Sequence, residues 1–212
     1  MKKLPVSFYQ RENVLQIAKE LLGKLLVSKW KGIVTSGRIV EVEAYNGVMD
    51  KASHAFGGRK TARNKIMYSN GGVAYIYLCY GIHHLFNVVT NDQDTPQAIL
   101  IRALEPVKGI DMMRQRVGKK KPGIPGQKSK DRVNYSLTGG PGKLSKALGI
   151  FTRQSGCSLR CEELFIADDG FILRKTDIAA SPRIGVDYAG NDALLPYRFY
   201  MKGNPFVSGK PK

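Results

Sequence analysis

The sequence predicts an α+β fold, a single α/β domain over residues 1–212 with a curved mixed or antiparallel sheet, flanking helices and a protruding β-hairpin. Three observations carry this. Residues 33–45 form a long β-prone run. Residues 73–80 and 85–90 are apolar and aromatic, separated by a glycine-containing turn. Helical spacing is confined to short stretches that never alternate with strands in a βαβ rhythm.

In chain order, residues 11–22 place Val14, Leu15, Ala18, Leu21 and Leu22 at helical spacing, and Gly23 closes that helix. Strands over 25–30 and 33–45 follow. Over 46–72 the periodicity fails, and Gly47, Gly57, Gly58, Asn70, Gly71 and Gly72 mark a long irregular segment of the kind that carries function. The hairpin turns through Gly81-Ile82-His83-His84, and a buried strand spans 98–104. Residues 108–117 are weakly helical, interrupted by Gly109. Residues 118–130, with five lysines, three glycines and two prolines, read as a mobile loop, either a solvated insertion or a phosphate-grazing one. Gly140-Pro141-Gly142 opens a short helix through Leu148, with Lys143 in its first turn as a candidate phosphate anchor. The remainder is β-rich, with strands expected over 163–167, 171–175, 183–186 and 197–201.

The charge is lopsided. The 34 Lys+Arg against 17 Asp+Glu give a formal net charge of +17, the electrostatic footprint of a protein that releases counterions from nucleic acid. Hydrophobic residues at 42% are ordinary for a globular chain, and no apolar run reaches membrane-spanning length. Met1-Lys2-Lys3-Leu4-Pro5 lacks the apolar core of a signal peptide, so no membrane partner is expected and the chain reads as intracellular. Cys79, Cys157 and Cys161 lack the second ligand pair of a zinc site and read as reduced thiols.

Against this basic background, strand parity puts Glu41, Glu43 and Tyr45 on one face. Two such carboxylates can hold a metal, share a proton or supply one general base, and parity does not choose between them. Tyr75 and Tyr77 share another strand face, and with Tyr45 and His54 they could sandwich a planar base or simply be sheet core. Tyr80, beside a turn, is placed to wedge between base pairs. The adjacent His83 and His84 point to opposite faces and make a poor metal pair. The loop Gly57-Gly58-Arg59-Lys60-Thr61-Ala62-Arg63-Asn64 lacks P-loop or dinucleotide spacing, and could grip backbone or brace a pocket wall. Two other readings remain open from the residues alone: a non-catalytic nucleic-acid-binding module, and a metal-dependent nuclease built on Glu41, Glu43, Asp50 and His54.

These stretches occur in a recognisable order. Gly37-Arg-Ile-Val-Glu-Val-Glu-Ala-Tyr45, His54-Ala-Phe-Gly-Gly-Arg-Lys-Thr-Ala-Arg-Asn64, Ala74-Tyr-Ile-Tyr-Leu-Cys-Tyr-Gly81, Leu100-Ile-Arg-Ala-Leu-Glu-Pro106, Gly140-Pro-Gly-Lys-Leu144, Arg183-Ile-Gly-Val186 and Arg198-Phe-Tyr200 cover most of the chain. The chain resembles the alkyladenine (3-methyladenine) DNA glycosylases of mammals and many bacteria. The resemblance implies a monofunctional enzyme, without lyase activity or cofactor or metal, that flips alkylated or deaminated purines out of double-stranded DNA and hydrolyses the glycosidic bond. It implies Glu43 as general base, and Tyr45, His54 and Tyr77 as the rings that stack on the base. It implies Asn87 as the residue that clashes with the 2-amino group of guanine, and Tyr80 as the intercalating wedge. Arg102 matches an arginine near the flipped nucleotide's phosphate, the alternative being a buried arginine that braces strands. His83-His84-Leu85 departs from the bulkier, aromatic-containing segment of vertebrate members. A monomer without obligate protein partner is expected, cytoplasmic in a prokaryote or nuclear in a eukaryote.

Overall fold

The computed structural model describes residues 1–118 and 134–209. Residues 119–130 of the lysine-rich loop lie outside the described residues. In chain order the elements are β1 (Lys2–Lys3), α1 (Val6–Tyr9), α2 (Val14–Leu21), β2 (Leu25–Trp30), β3 (Ile33–Tyr45), β4 (Ala74–Cys79), β5 (His83–Thr90), β6 (Gln97–Lys108), α3 (Ile110–Val117), α4 (Pro141–Leu148), β7 (Leu164–Asp168), β8 (Ile178–Ser181) and β9 (Arg198–Met201). Single 3₁₀ turns punctuate the connections.

One nine-stranded sheet runs β1-β7-β2-β3-β6-β5-β4, with β8 and β9 joining at β3. Every strand pair is antiparallel, so of the two sheet types the sequence allows, the antiparallel one is realised. β3 organises it. One edge pairs with β6; the other pairs first with β2, from Trp30↔Ile33 to Leu25↔Arg38, and then with β9 at residues 41–43. Register shifts against β6 at Ser36/Gly37, Ile39/Glu41 and Glu41/Val42 bend the strand, because each extra residue raises the local twist. The sheet therefore curls.

Alternation then sorts the side chains. Val40, Val42 and Ala44 of β3, Ile99, Ile101 and Ala103 of β6, Phe86 and Val88 of β5, and Ala74 and Ile76 of β4 pack into the main core. Against them lie Val14, Ile17, Ala18 and Leu21 of α2 and Leu144, Ala147 and Leu148 of α4. Each large aliphatic so buried contributes about 1.5–3 kcal/mol. The residues between them, Glu43 and Tyr45, Leu100 and Arg102, Asn87, Tyr75 and Tyr77, face the other way. That second face is covered over part of its area by the irregular 46–72 segment, through a small cluster of Ala55, Met67, Tyr75, Val89 and Ala98.

Several expected boundaries move for physical reasons. α2 starts at Val14 because the Asn13 side chain caps it, accepting from the Gln16 amide at 3.0 Å. β6 continues through Pro106, since past Leu100 it is no longer paired with β5 and a missing N–H costs no bond to that strand. Gly109 does not interrupt α3 but caps it, at φ 77°. Tyr80 lies in the hairpin turn rather than in the strand, and His83 already belongs to β5.

Two expected strands are absent among the described residues. Residues 171–175 are irregular: Phe171 turns its ring onto the Arg38 guanidinium, 4.1 Å away. Residues 183–186 are irregular too, because the Ile184 amide donates to a carboxylate instead of a ladder partner. Conversely β1, α1 and β8 were not foreseen; two to four residues are too few to show a period. No helix among the described residues is long and apolar enough to cross a membrane.

Candidate active site

The register places Arg198, Glu43, Leu100, Asn87 and Tyr75 in one transverse row across β9, β3, β6, β5 and β4. Glu43 is fully buried at the middle of it. Its Oε1 accepts from the Ile184 amide at 2.7 Å and lies 3.2 Å from Nη1 of Arg102, while its Oε2 accepts from the Tyr45 hydroxyl at 3.0 Å. Burial pushes the Glu43 carboxyl above the ordinary carboxylate value, and Arg102, the Ile184 amide and Tyr45 offset only part of that. Burial, with the neighbouring Glu43 charge, likewise lifts the Tyr45 phenol well above its usual value, so it remains a donor.

Glu41, also fully buried, is held differently. Its Oε1 accepts from Nε of both Arg102, at 2.9 Å, and Arg198, at 2.7 Å; its Oε2 accepts from the Ser208 amide at 2.6 Å. Here the two acids separate, as parity could not separate them. Tyr45, Leu100, Arg102 and Ile184, all beside Glu43, line a cleft of about 670 Å³. Arg198 and Ser208, which clamp Glu41, do not. Arg102 spans both carboxylates and is itself 7% exposed, so it braces the strands while also lining the cleft. Burial disfavours its charge, but Glu43 and Glu41 outweigh that and hold the guanidinium more firmly protonated than usual.

The aromatic residues gather as well. His54 and Tyr77 meet at a ring separation of 4.7 Å, and Nδ1 of His54 is 2.8 Å from the Tyr75 hydroxyl. Burial, then the charges of Arg63 and Arg59, drives the His54 imidazole down to about 4, so it is neutral at pH 7. Arg63 stacks over Tyr77 at 4.8 Å, the bracing role the basic loop allowed. Tyr45, His54 and Tyr77 line a pocket shared with Asn87, Ala98, Met67 and Tyr188. Asn87 is nearly buried, its amide nitrogen donating to the carbonyls of Tyr75 and Leu85.

Tyr80 is 90% exposed at the tip of the hairpin, with Leu78 and Ile82 exposed beside it. The Ile82 amide closes the turn onto the Cys79 carbonyl at 3.2 Å, and both central residues are left-handed, Tyr80 at φ 50° and Gly81 at φ 71°. That conformation is strained for a bulky aromatic, by about 1–3 kcal/mol. Lys143, exposed on the first turn of α4, lines the same cleft as Tyr80. α4 approaches the hairpin closely through Gly142, where a Cβ would meet His83 Nδ1 at 2.7 Å. His84 points to the opposite face and packs on Phe151.

Glu41, Glu43, Asp50 and His54 do not converge as a ligand set. Asp50 is paired with Arg183, at 2.8 Å from Nη2 to Oδ1, and no group of three such side chains among the described residues could hold a metal ion. Sequence reasoning missed the Ile184 amide, the Arg183–Asp50 pair that underlies Tyr45, and Tyr188. The stretch from Arg183 to Val186 carried the signal for the first two, but was read as a strand. Tyr188 has no periodic neighbourhood that could have flagged it.

A buried acid whose partners Tyr45, Arg102 and Ile184 line a cleft that a strained exposed tyrosine borders is the arrangement of an enzyme. The family model described as methylpurine-DNA glycosylase (MPG) matches residues 7–205. The chain belongs to that family and is a DNA glycosylase, a hydrolase of DNA repair. A relative from Bacillus cereus (strain G9842), named "Putative 3-methyladenine DNA glycosylase", is 47% identical over 210 residues, covering 97% of this chain and 98% of the relative. Relatives of the same name from Bacillus cereus (strain AH820) and Bacillus anthracis (strain CDC 684 / NRRL 3495) are each 46% identical over the same shares of both chains.

Proposed function

We propose that this protein excises 3-methyladenine and 7-methylguanine, and with them hypoxanthine and ethenoadenine, from duplex DNA by flipping the nucleotide and hydrolysing its glycosidic bond. The observation that carries this reading is that Glu43 is fully buried directly behind Tyr45, Leu100, Arg102 and Ile184, which line the cleft. A carboxylate whose pKa is raised by burial is suited to take a proton from water as that water attacks C1′. It accepts three interactions of its roughly four acceptor sites, which leaves one for that water. Its charge, once present, also favours an oxocarbenium-like sugar.

The rings supply selectivity. Tyr45, His54 and Tyr77 are neutral and electron-rich at pH 7, and a cationic alkylated purine gains about 0.5–2 kcal/mol on each such face. Asn87, which lines the pocket, rejects the 2-amino group of an unmodified guanine. Tyr80 fills the gap left by the extruded nucleotide, and Lys143 meets backbone phosphate at the cleft edge. The groups on Glu43 are a phenol, a guanidinium and a backbone amide, none of them an amine nucleophile, which supports hydrolysis without strand cleavage.

The test is base release from duplexes carrying each of the four lesions, with EDTA present and with borohydride added in parallel. Free base, an intact abasic strand and no covalent adduct are expected. Strand nicking lost in EDTA, a trapped Lys143 adduct, or binding without base release would each overturn the reading.

A further inference from the structure

The pocket ringed by Tyr45, His54, Tyr77 and Asn87 has a volume of only about 30 Å³. That is room for a water or two, not for a bicyclic purine. Most of its wall has no freedom to yield. Met67, Tyr75, Asn87 and Ala98 are at most 3% exposed, and Tyr45 and His54 are fixed by hydrogen bonds to Glu43 and Tyr75.

Tyr188 is different. It is 70% exposed, and its hydroxyl donates to the Ala52 carbonyl at 3.1 Å. It borders the small pocket, the large cleft, and a third cavity of about 440 Å³ walled by Lys51, His54, Phe56 and Arg63. The ring can therefore leave the pocket for open space without displacing another side chain. The backbone on either side is held, Val186 and Ala189 being at most 3% exposed and the Ala189 amide donating to the Val186 carbonyl at 2.9 Å, so the motion is a rotation of the Tyr188 side chain.

We propose that Tyr188 is the movable wall of the base pocket and sets which purines enter it. This rests on the pocket receiving the flipped base. When the ring swings toward Phe56 the base slides between Tyr45 and the His54–Tyr77 pair; when it returns, it closes over the base edge. A small methylated purine permits full closure, whereas a tricyclic etheno adduct holds the wall open. Tyr188 is thus a specificity residue, remote from the proton transfer at Glu43.

The experiment compares wild type, Tyr188→Phe and Tyr188→Ala in single-turnover base release on 3-methyladenine and ethenoadenine duplexes, separating the saturating rate from the half-saturating enzyme concentration. Tyr188→Ala should raise the ethenoadenine to 3-methyladenine ratio of efficiencies at least tenfold, chiefly by weakening capture of 3-methyladenine. Tyr188→Phe keeps the ring, frees the tether and should shift the ratio in the same direction by a smaller factor, so the proposal survives a poorly folded alanine variant. An active wild type whose ratio is unchanged within twofold in both variants overturns the movable wall alone. A wild type inert on every lesion overturns the proposed function, and this inference with it.

Discussion

Tyr45 donates its phenolic hydrogen to Glu43 across 3.0 Å, from two positions along the same strand. The bond makes one face of β3 both a proton acceptor and a stacking surface, and it favours the charged form of the acid. Removing the hydroxyl separates the two uses. Tyr45→Phe keeps the ring, so lesion affinity should change little. Glu43 loses a donor to its ionised form, so its pKa, already raised, should rise further. Because the base must be deprotonated, the acid limb of the rate profile moves to higher pH. A pH–rate profile of base release decides this, and an unshifted limb would separate the hydroxyl from catalysis.

Glu43→Gln should lower base release by about 10²–10⁴-fold. Stability should go the other way at neutral pH. A carboxyl whose folded pKa exceeds its unfolded value stabilises the fold below the unfolded pKa, and that contribution is lost as pH rises through the folded pKa. At pH 7 the wild-type charge is thus a cost that glutamine removes. The unfolding midpoint of Glu43→Gln should exceed that of the wild type at pH 7, with the difference closing as pH falls.

Glu41→Gln should have the opposite sign. Arg102 and Arg198 both donate to Glu41, and removing the charge leaves the buried Arg198 guanidinium uncompensated and Arg102 with Glu43 alone. A loss of about 3–5 kcal/mol is expected by denaturant titration. A variant as stable as the wild type would show that Glu41 is not the anchor its geometry describes.

Tyr80→Gly should stabilise the fold and weaken lesion binding together. Glycine adopts φ 50° without penalty, so the strain of about 1–3 kcal/mol is relieved, while the exposed ring is lost. A denaturant midpoint that rises while affinity for lesion duplex falls at least tenfold is expected. A fold that collapses instead would make Tyr80 a structural residue.

Gly142→Ala should push α4 away from the hairpin, at a cost of about 1–3 kcal/mol, because its Cβ would lie 2.7 Å from the His83 ring. His83→Ala in the same chain removes the ring but keeps a Cβ 3.0 Å away, and should restore part of the midpoint. No recovery in the double variant would mean that the clash lies elsewhere.

How much of this was legible follows from what each feature is made of. Strand parity and the hairpin announced themselves because they repeat over many residues, as in β3 and in β4 with β5. Parity also put Glu41, Glu43 and Tyr45 on one side, but the difference between the acids lies in Ser208, Arg198 and Ile184, more than 140 positions away. Pairing at that distance leaves no local pattern. The segment around Arg183 looked like a strand because Ile184 and Val186 alternate; its amide instead serves Glu43. Tyr188 was invisible for a related reason, being defined by the cavities around it rather than by its neighbours in the chain.

The alternation along β3 and β6 also bears on how such an enzyme can change over time. Core and site are interleaved residue by residue, Val42 inward, Glu43 outward, Ala44 inward. Deleting or inserting one residue in this stretch would exchange the two sets, placing acids in the oil and aliphatics in the cleft. The site can therefore be retuned by substitution, or by lengthening the 46–72 loop that roofs it. It cannot drift along its own strands.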